Sequence, residues 1–307
     1  MGELIHKIAK TISPYLSDKQ YIRLKWAYAM KGAPLNLYNP QTYSEKLQWL
    51  KLYYHNPQQT LLVDKFKVKE YVSTKIGAQY VIPLLGVWNS VEEIDWESLP
   101  SQFVMKCSHD CGGMVVCKDK NKLDIEEAKK NLKKCMETNY YYASREWPYK
   151  NVEPVIFAEE YKEDEFGELR DYKWFCFDGE PKALFIATDR GKGHKQTRFD
   201  FYDMDFNHLP FTNGHPNSDK KITKPLGFEK MKELASILSK GFPHVRVDFY
   251  DVNGTIYFGE FTFYHWGGMM PFEPKEWDYK FGSWIKLPPK KICQKCKVIK
   301  RNGVVRV

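Results

Sequence analysis

Two acidic residues stand in the middle of apolar, β-type runs in the last quarter of the chain. In VRVDFYDVNGTIYFGEFTF, Val245 to Phe263, alternation places Val245, Val247 and Phe249 on one face and Arg246 and Asp248 on the other. The next run delivers Glu260, with Thr262 two residues on and facing the same way. An acid inside an apolar strand is costly unless it is paired or binds a metal. Two such acids on adjacent strands suit a divalent cation, and all-oxygen ligands favour Mg2+ or Mn2+. The competing arrangement is an internal salt bridge from Arg246 to Glu260 with no metal. Register sets a condition on the metal reading. A strict two-residue Asn253-Gly254 turn puts Asp248 and Glu260 on opposite faces, so we expect a longer loop or a bulge.

Two further segments carry polar groups at strand ends. In FVMKCSHDCGGMVV, Phe103 to Val116, a strand ends at Lys106 and a polar loop with Gly112-Gly113 leads to a second strand. Amides of such a loop can cradle phosphate oxygens, and the lysine can neutralise them. It is not a Walker A loop, because the lysine precedes the glycines. In VIFAEEYKEDEFGELRDYKWFCF, Val155 to Phe177, an apolar strand ends in Glu159-Glu160-Tyr161. Backbone groups there can bond an adenine edge while an acid accepts from its amino group. Taken alone, the diglycine loop is a weak signal, and a solvated acidic loop is the better account of the second segment.

The elements that must position these residues mix without strict alternation. Helical spacing runs through Leu4 to Ile12, Ser17 to Met30 with Ser17 as cap, Thr42 to Tyr54, Lys65 to Lys75, Ile125 to Thr138 and Phe228 to Lys240. Strand patterns occupy Tyr80 to Leu85, Phe103 to Lys106, Met114 to Cys117, Val155 to Tyr161, Tyr172 to Phe177, Ala183 to Thr188, Val245 to Tyr250 and Thr255 to Phe263. Asp178-Gly179 signals a hairpin. The order reads as α+β rather than doubly wound.

Composition narrows the class. The 307 residues are 43% hydrophobic and 16% aromatic, which excludes disorder, collagen and coiled coil. The longest apolar stretch, Val81 to Trp88, is interrupted by Pro83 and Gly86, far short of the ~20 residues a membrane span needs. The N-terminus has charges in its apolar part and no small-residue cleavage site, so we expect no signal peptide and a cytoplasmic protein. Seven cysteines fit neither a disulfide framework nor a zinc site, including Cys293-x-x-Cys296, which has no second pair. The net charge of +8 concentrates after Lys286, where lysines and arginines occur with no acid. Such a tail suits an anionic surface or polymer. Nucleic acid is not expected, because no recognition motif accompanies it.

The order of the segments, a basic residue with a glycine loop, an acidic strand-end hinge, then two metal-type carboxylates, resembles the ATP-grasp superfamily. More narrowly, the chain resembles the TupA-like ATP-grasp family found in bacterial capsule and cell-wall polysaccharide gene clusters. The residues carrying this are Leu37-Tyr38-Asn39-Pro40 with Thr42 to Lys46, Asp64-Lys65 with Tyr71-Val72, and Lys106 with His109 to Gly113. Glu159-Glu160-Tyr161, Asp171-Tyr172-Lys173, Cys176 to Gly179, Arg246-Val247-Asp248 and Phe258-Gly259-Glu260 complete the set.

The resemblance implies an ATP-grasp fold of two α+β lobes clamping ATP. Its expected parts are a helical N-terminal region (1–62), a small lobe with the glycine loop (63–160), a large lobe with the metal site (161–285) and the basic tail (286–307). It implies that Lys65 and Lys106 reach the ATP phosphates while His109, Gly112 and Gly113 close over them. Glu159 and Tyr161 would hold adenine, with Glu160 or Glu163 near the adenosine. Asp248 and Glu260 would hold Mg2+, and Thr262 stands where many ATP-grasp enzymes carry Asn. Lys173, Arg190 and Arg246 are candidates for steadying the transferred phosphate or the substrate carboxylate.

The implied chemistry is ligation of a carboxylate to an amine or amino acid through an acyl phosphate. The expected acceptor is a uronic acid of an anionic polysaccharide or its lipid-linked precursor, with Trp174, Tyr264, His265 and Trp266 either lining its site or packing in the core. The first helix rests on the protein or at the inner face of the membrane. Two alternatives remain: a glycosyltransferase, for which Asp203-Met204-Asp205 is the one D-x-D triplet, and a non-catalytic polysaccharide-binding protein.

Overall fold

The computed structural model describes residues 13–109, 113–164, 167, 169–189 and 197–290. The expected first helix and most of the basic tail lie outside them. Among the described residues no helix is long and apolar enough to cross a membrane.

Local signals start the N-terminal helices. Ser17 caps α1 (Asp18–Ala29) and Thr42 caps α2 (Tyr43–Tyr53), each in a reciprocal capping box, with Gln20 and Glu45 respectively. α3 (Gln58–Val63) follows. Asp64 then accepts from the amides of Phe66 and Lys67 through Oδ1, both at 3.0 Å. This turn delays α4 to Val68–Ile76, later than the helical spacing from Lys65 suggested.

A four-stranded antiparallel sheet comes next, in spatial order β1 (Leu84–Trp88), β4 (Ile156–Glu160), β2 (Phe103–Cys107), β3 (Val115–Cys117). The strand pattern at Tyr80 to Leu85 is displaced: Ala78–Tyr80 is a 3-10 turn, and Pro83 has no N–H to give a ladder. α5 (Ile125–Met136) packs on this sheet, with Ala128 and Leu132 in one cluster with Phe103, Met105 and Ile156. Cys107 and Cys117 belong to that cluster as buried thiols.

The larger sheet has six antiparallel strands. Its order is β10 (Thr255–Thr262), β9 (Val245–Val252), β5 (Asp171–Phe177), β6 (Glu180–Thr188), β7 (Arg198–Tyr202), β8 (His208–Leu209). Asp178 and Gly179 join β5 to β6 with φ 49° and 84°, the left-handed pair that a two-residue hairpin requires. β5 is buried along its whole length, so both faces must be covered. Trp174 points to one side, where Phe228 of a helix at Phe228–Ser239 lies 5.0 Å away. Phe175 points to the other, against Tyr43 of α2 and Phe281 of a helix at Glu276–Trp284. Trp174 is thus core. The division expected between residues 62 and 63 falls between two core neighbours, Leu62 and Val63, which share one cluster with the six-stranded sheet.

Candidate functional site

The β9–β10 hairpin decides which side chains meet. Its turn is the two-residue Asn253-Gly254, with φ 53° and 88°, and Thr255 pairs with Val252. Pairing continues regularly to Phe258 opposite Phe249, then shifts, so that Glu260 lies opposite Asp248 and Thr262 opposite Arg246. The extra residue is Gly259. This one-residue bulge turns Glu260 onto the face of Asp248, as the shared-face condition demands.

β5 adds Lys173 opposite Asp248 from the other side. Asp248 is fully buried, and both its oxygens are engaged. Arg246 donates to Oδ1 from Nε at 2.7 Å and to Oδ2 from Nη2 at 2.8 Å. Lys173 donates to Oδ2 at 2.5 Å and also lies 3.2 Å from Asp171. Arg246 Nη2 further donates to Thr262 Oγ1 at 2.9 Å and approaches Glu260 Oε1 at 3.4 Å. Thus the Arg246–Glu260 pairing weighed from sequence exists, and it shares the arginine with Asp248.

Glu260 is the open end of this network. Its side chain is 32% exposed, and Lys65 Nζ sits 3.5 Å from Oε2. Burial acts to raise its pKa, but Lys65, Lys173, Arg246 and Lys106 outweigh it and hold the carboxyl down to about 2. Counting Lys69, five cations here face four carboxylates, Glu260, Asp248, Asp171 and Glu159, a slight positive surplus that favours a polyanion. Burial pushes the Lys173 pKa down, against the opposing pull of Asp248.

Lys106 reaches the site from β2 and is itself held by Glu159 on β4. Glu159 is buried, and its second oxygen accepts from Lys69 of α4 at 2.8 Å. Burial acts to raise the Glu159 pKa, but Lys106 and Lys69 reverse this and lower it. Its carboxylate therefore holds two lysines. Glu160 pairs with Lys162 at 2.7 Å. Tyr161 donates to Glu163 at 2.6 Å, and Lys118 lies 3.3 Å from the same carboxylate. His109 is buried, with Nε2 donating to Thr138 O at 2.8 Å. Gly113 is described; Gly112 and Arg190 lie outside the described residues.

Sequence reading assigned no role in the site to Lys69 or Asn213. Lys69 is one lysine among many, and Asn213 lies in a loop 33 residues before Arg246. Asp203, first of the D-x-D triplet, spends Oδ1 on the amides of Asp205 and Asn207 and Oδ2 on the Asn207 side chain. It serves a turn. Tyr264 and His265 are buried, whereas Trp266 is 42% exposed.

Among the described residues no group of three His, Cys, Asp or Glu side chains converges on one point. Mg2+ is commonly held by one or two carboxylates together with substrate phosphates. Of the three expected ligands, Glu260 offers a partly open carboxylate beside cations suited to phosphate, whereas Asp248 is sealed by Arg246 and Lys173 and Thr262 Oγ1 accepts from Arg246. Glu260 fits the one-carboxylate form of that mode.

Two antiparallel sheets meet at this cluster, with Lys106 on the smaller and Glu260 on the larger. The chain belongs to the TupA-like ATP-grasp family, whose profile matches residues 45–286. Among solved structures it is similar to the D-alanine–D-alanine ligase of Helicobacter pylori, at 14% identity over 81% of this chain and 68% of that one, with a TM-score of 0.44. It is also similar to the D-alanine–D-alanine ligase of Bacillus anthracis complexed with ATP, at 14% identity over 66% and 53% and a TM-score of 0.39. The L-amino acid ligase of Bacillus licheniformis gives 13% identity over 67% and 43%, with a TM-score of 0.39. The chain spans about half the length of the Bacillus anthracis ligase. A comparison with curated proteins finds no match.

Proposed function

We propose that this protein is an ATP-dependent ligase that joins an amine or amino acid to a carboxylate, forming ADP and phosphate. The observation that carries this is the partly open Glu260 ringed by Lys65, Lys106, Lys173 and Arg246, in a chain of an ATP-grasp family. That ring suits a bound triphosphate, with Lys65 and Lys106 approaching from the helical and small-sheet side.

Glu260 is the residue that would hold Mg2+, which supplies charge neutralisation to the phosphates when bound, while Asp248 and Thr262 are engaged by Arg246. The carboxylate substrate attacks the terminal phosphorus of ATP, ADP leaves, and an acyl phosphate forms. The amine then attacks the acyl carbon and phosphate leaves, carrying the bonding pair. Lys173 and Arg246, buried and aligned by Asp248, stabilise charge on the transferred phosphoryl oxygens and on the tetrahedral oxyanion.

For the substrate we propose a uronic acid of a surface polysaccharide or its lipid-linked precursor. The half-exposed Trp266, placed one residue after His265, supports a sugar-binding edge. We place the reaction in the cytoplasm at the inner face of the membrane, where the cationic tail would meet an anionic acceptor. The test is coupled detection of ADP with uronic-acid acceptors and a panel of amines, plus product mass. An amide product with stoichiometric ADP is expected. AMP release, or no ATP consumption with any acceptor, overturns the reading.

A further inference from the structure

The turn after β10 is tightly specified. Trp266, Gly267 and Gly268 are consecutive residues in left-handed backbone, with φ 52°, 62° and 63°. For a bulky tryptophan this is an outlier that the surroundings must impose. α2 imposes it. Gln48 Nε2 donates to the carbonyls of Gly267 and Gly268, both at 2.9 Å. The buried Lys51 donates to Gly267 O at 2.7 Å. A Cβ on Gly268 would lie 2.5 Å from Gln48 Nε2 and 2.8 Å from Leu47 Cβ, so the turn is packed directly against side chains of α2.

His265 leads this turn and points into the site. Its Nδ1 lies 2.7 Å from Arg246 Nη1. A guanidinium only donates, so Nδ1 carries a lone pair and the ring proton is on Nε2. Nε2 faces Asn213 Oδ1 at 3.0 Å. The Asn213 amide is oriented in turn by Nδ2, which donates to Met270 O and Pro271 O, both at 3.0 Å. Every group in the chain has one consistent role. His265 and Asn213 are 3% and 1% exposed, so water does not substitute for either partner.

We propose that Asn213 and His265 are positioning residues for Arg246, fixing the tautomer that presents Nδ1 to its guanidinium, with Gln48 and Lys51 of α2 holding the turn that His265 leads; the catalytic consequence rests on the ligase reading above. Asp248 grips one edge of the guanidinium and His265 the Nη1 corner, so its plane has one orientation. Such outer supports typically change rate more than binding. Gln48 and Lys51 of α2, remote in sequence from the chemistry, thereby gain a role.

The test uses the full chain and five variants. His265→Leu is expected to lower kcat by roughly 10- to 100-fold with KM for ATP changed less than about threefold. His265→Asn, whose Oδ1 replaces Nδ1 as acceptor, restores most of the loss. Asn213→Ala releases the tautomer and reproduces the His265→Leu phenotype, and the double variant is no worse than His265→Leu alone. A readout independent of turnover is 15N NMR of arginine side chains, with the Arg246 signal assigned by its loss in Arg246→Lys. Its resolved Nη resonances are expected in the wild type and His265→Asn and absent in His265→Leu. Should His265→Leu fail to fold, Asn213→Ala gives the same comparison. Unchanged Arg246 resonances in the folded His265→Leu or Asn213→Ala variant, or additive kinetic losses, overturn the proposal. Altered resonances in a protein that forms no amide leave the positioning intact and overturn the ligase reading alone.

Discussion

Glu260 lies directly across the strand pair from Asp248, and it does so because one residue, Gly259, bulges out of β10. The pairing collects Arg246, Lys173, Lys65 and Lys106 around two carboxylates, one sealed and one open. Chain length between the turn and Glu260 is therefore a functional variable. Deleting Gly259 restores regular pairing and keeps Glu260 opposite Asp248, so Mg-ATP binding is expected to survive within about tenfold. With the bulge kept, one alanine inserted after Gly259 places Glu260 opposite Val247, on the other face. Binding should then be lost in calorimetry while the far-ultraviolet spectrum is retained.

Glu260→Gln removes the charge that four cations share. We expect metal-free triphosphate to bind more tightly, by about tenfold, because the surplus positive potential grows. Turnover should fall by about 100-fold or more, because the oxygen set for Mg2+ is incomplete. Titration with and without Mg2+ separates the two effects. Equal losses of affinity in both conditions would contradict the assignment.

Acid stability provides a second reading of the same residue. The Glu260 pKa lies near 2 in the folded chain against an ordinary 4.5. A depressed carboxyl contributes stability that is present above its unfolded pKa and is lost as pH falls through its folded pKa. Wild type should therefore lose stability more steeply than Glu260→Gln between pH 4.5 and 2. Urea midpoints measured across that window check it.

Glu159 and Lys106 should separate cleanly. Glu159→Ala strands Lys69 and Lys106 beside a buried hole, and should destabilise the fold by about 3–5 kcal/mol. Lys106→Met leaves the Lys69–Glu159 pair at 2.8 Å intact. It should fold near normally and lose nucleotide affinity. Thermal melts and nucleotide titrations on both variants decide.

Trp266→Ala is expected to raise KM for the acceptor by about tenfold without changing KM for ATP. Its indole rests against Gly214, where a Cβ would approach within 2.9 Å, so the ring is braced rather than loosely exposed. A change confined to ATP would place Trp266 at the nucleotide instead.

Much of the architecture was legible in the residues because it rests on local rules. Ser17 was readable as a cap, Thr42 as a helix start, Asp178-Gly179 as a hairpin, and Arg246 with Asp248 as same-face neighbours by period-two alternation. The capping interactions and register confirm each of these. The displacement of β1 to Leu84–Trp88 was less legible, since Val81 and Ile82 look as strand-like as the residues that pair. α3 at Gln58–Val63 lacks a side-chain cap, and without one it has little local signature.

The sequence by itself determined the alternation that aims Arg246 and Asp248 together, and the condition that a bulge or longer loop must exist if Glu260 is to join them. Tertiary structure alone decided that Gly259 is that bulge and that Glu159 holds Lys69 and Lys106. It likewise decided that Asn213 and His265 orient Arg246. The reason is physical. Alternation and capping act over a few residues and are written in side-chain type. Which distant donor meets which acceptor depends on how helices and sheets pack, and that is settled only when the whole core closes.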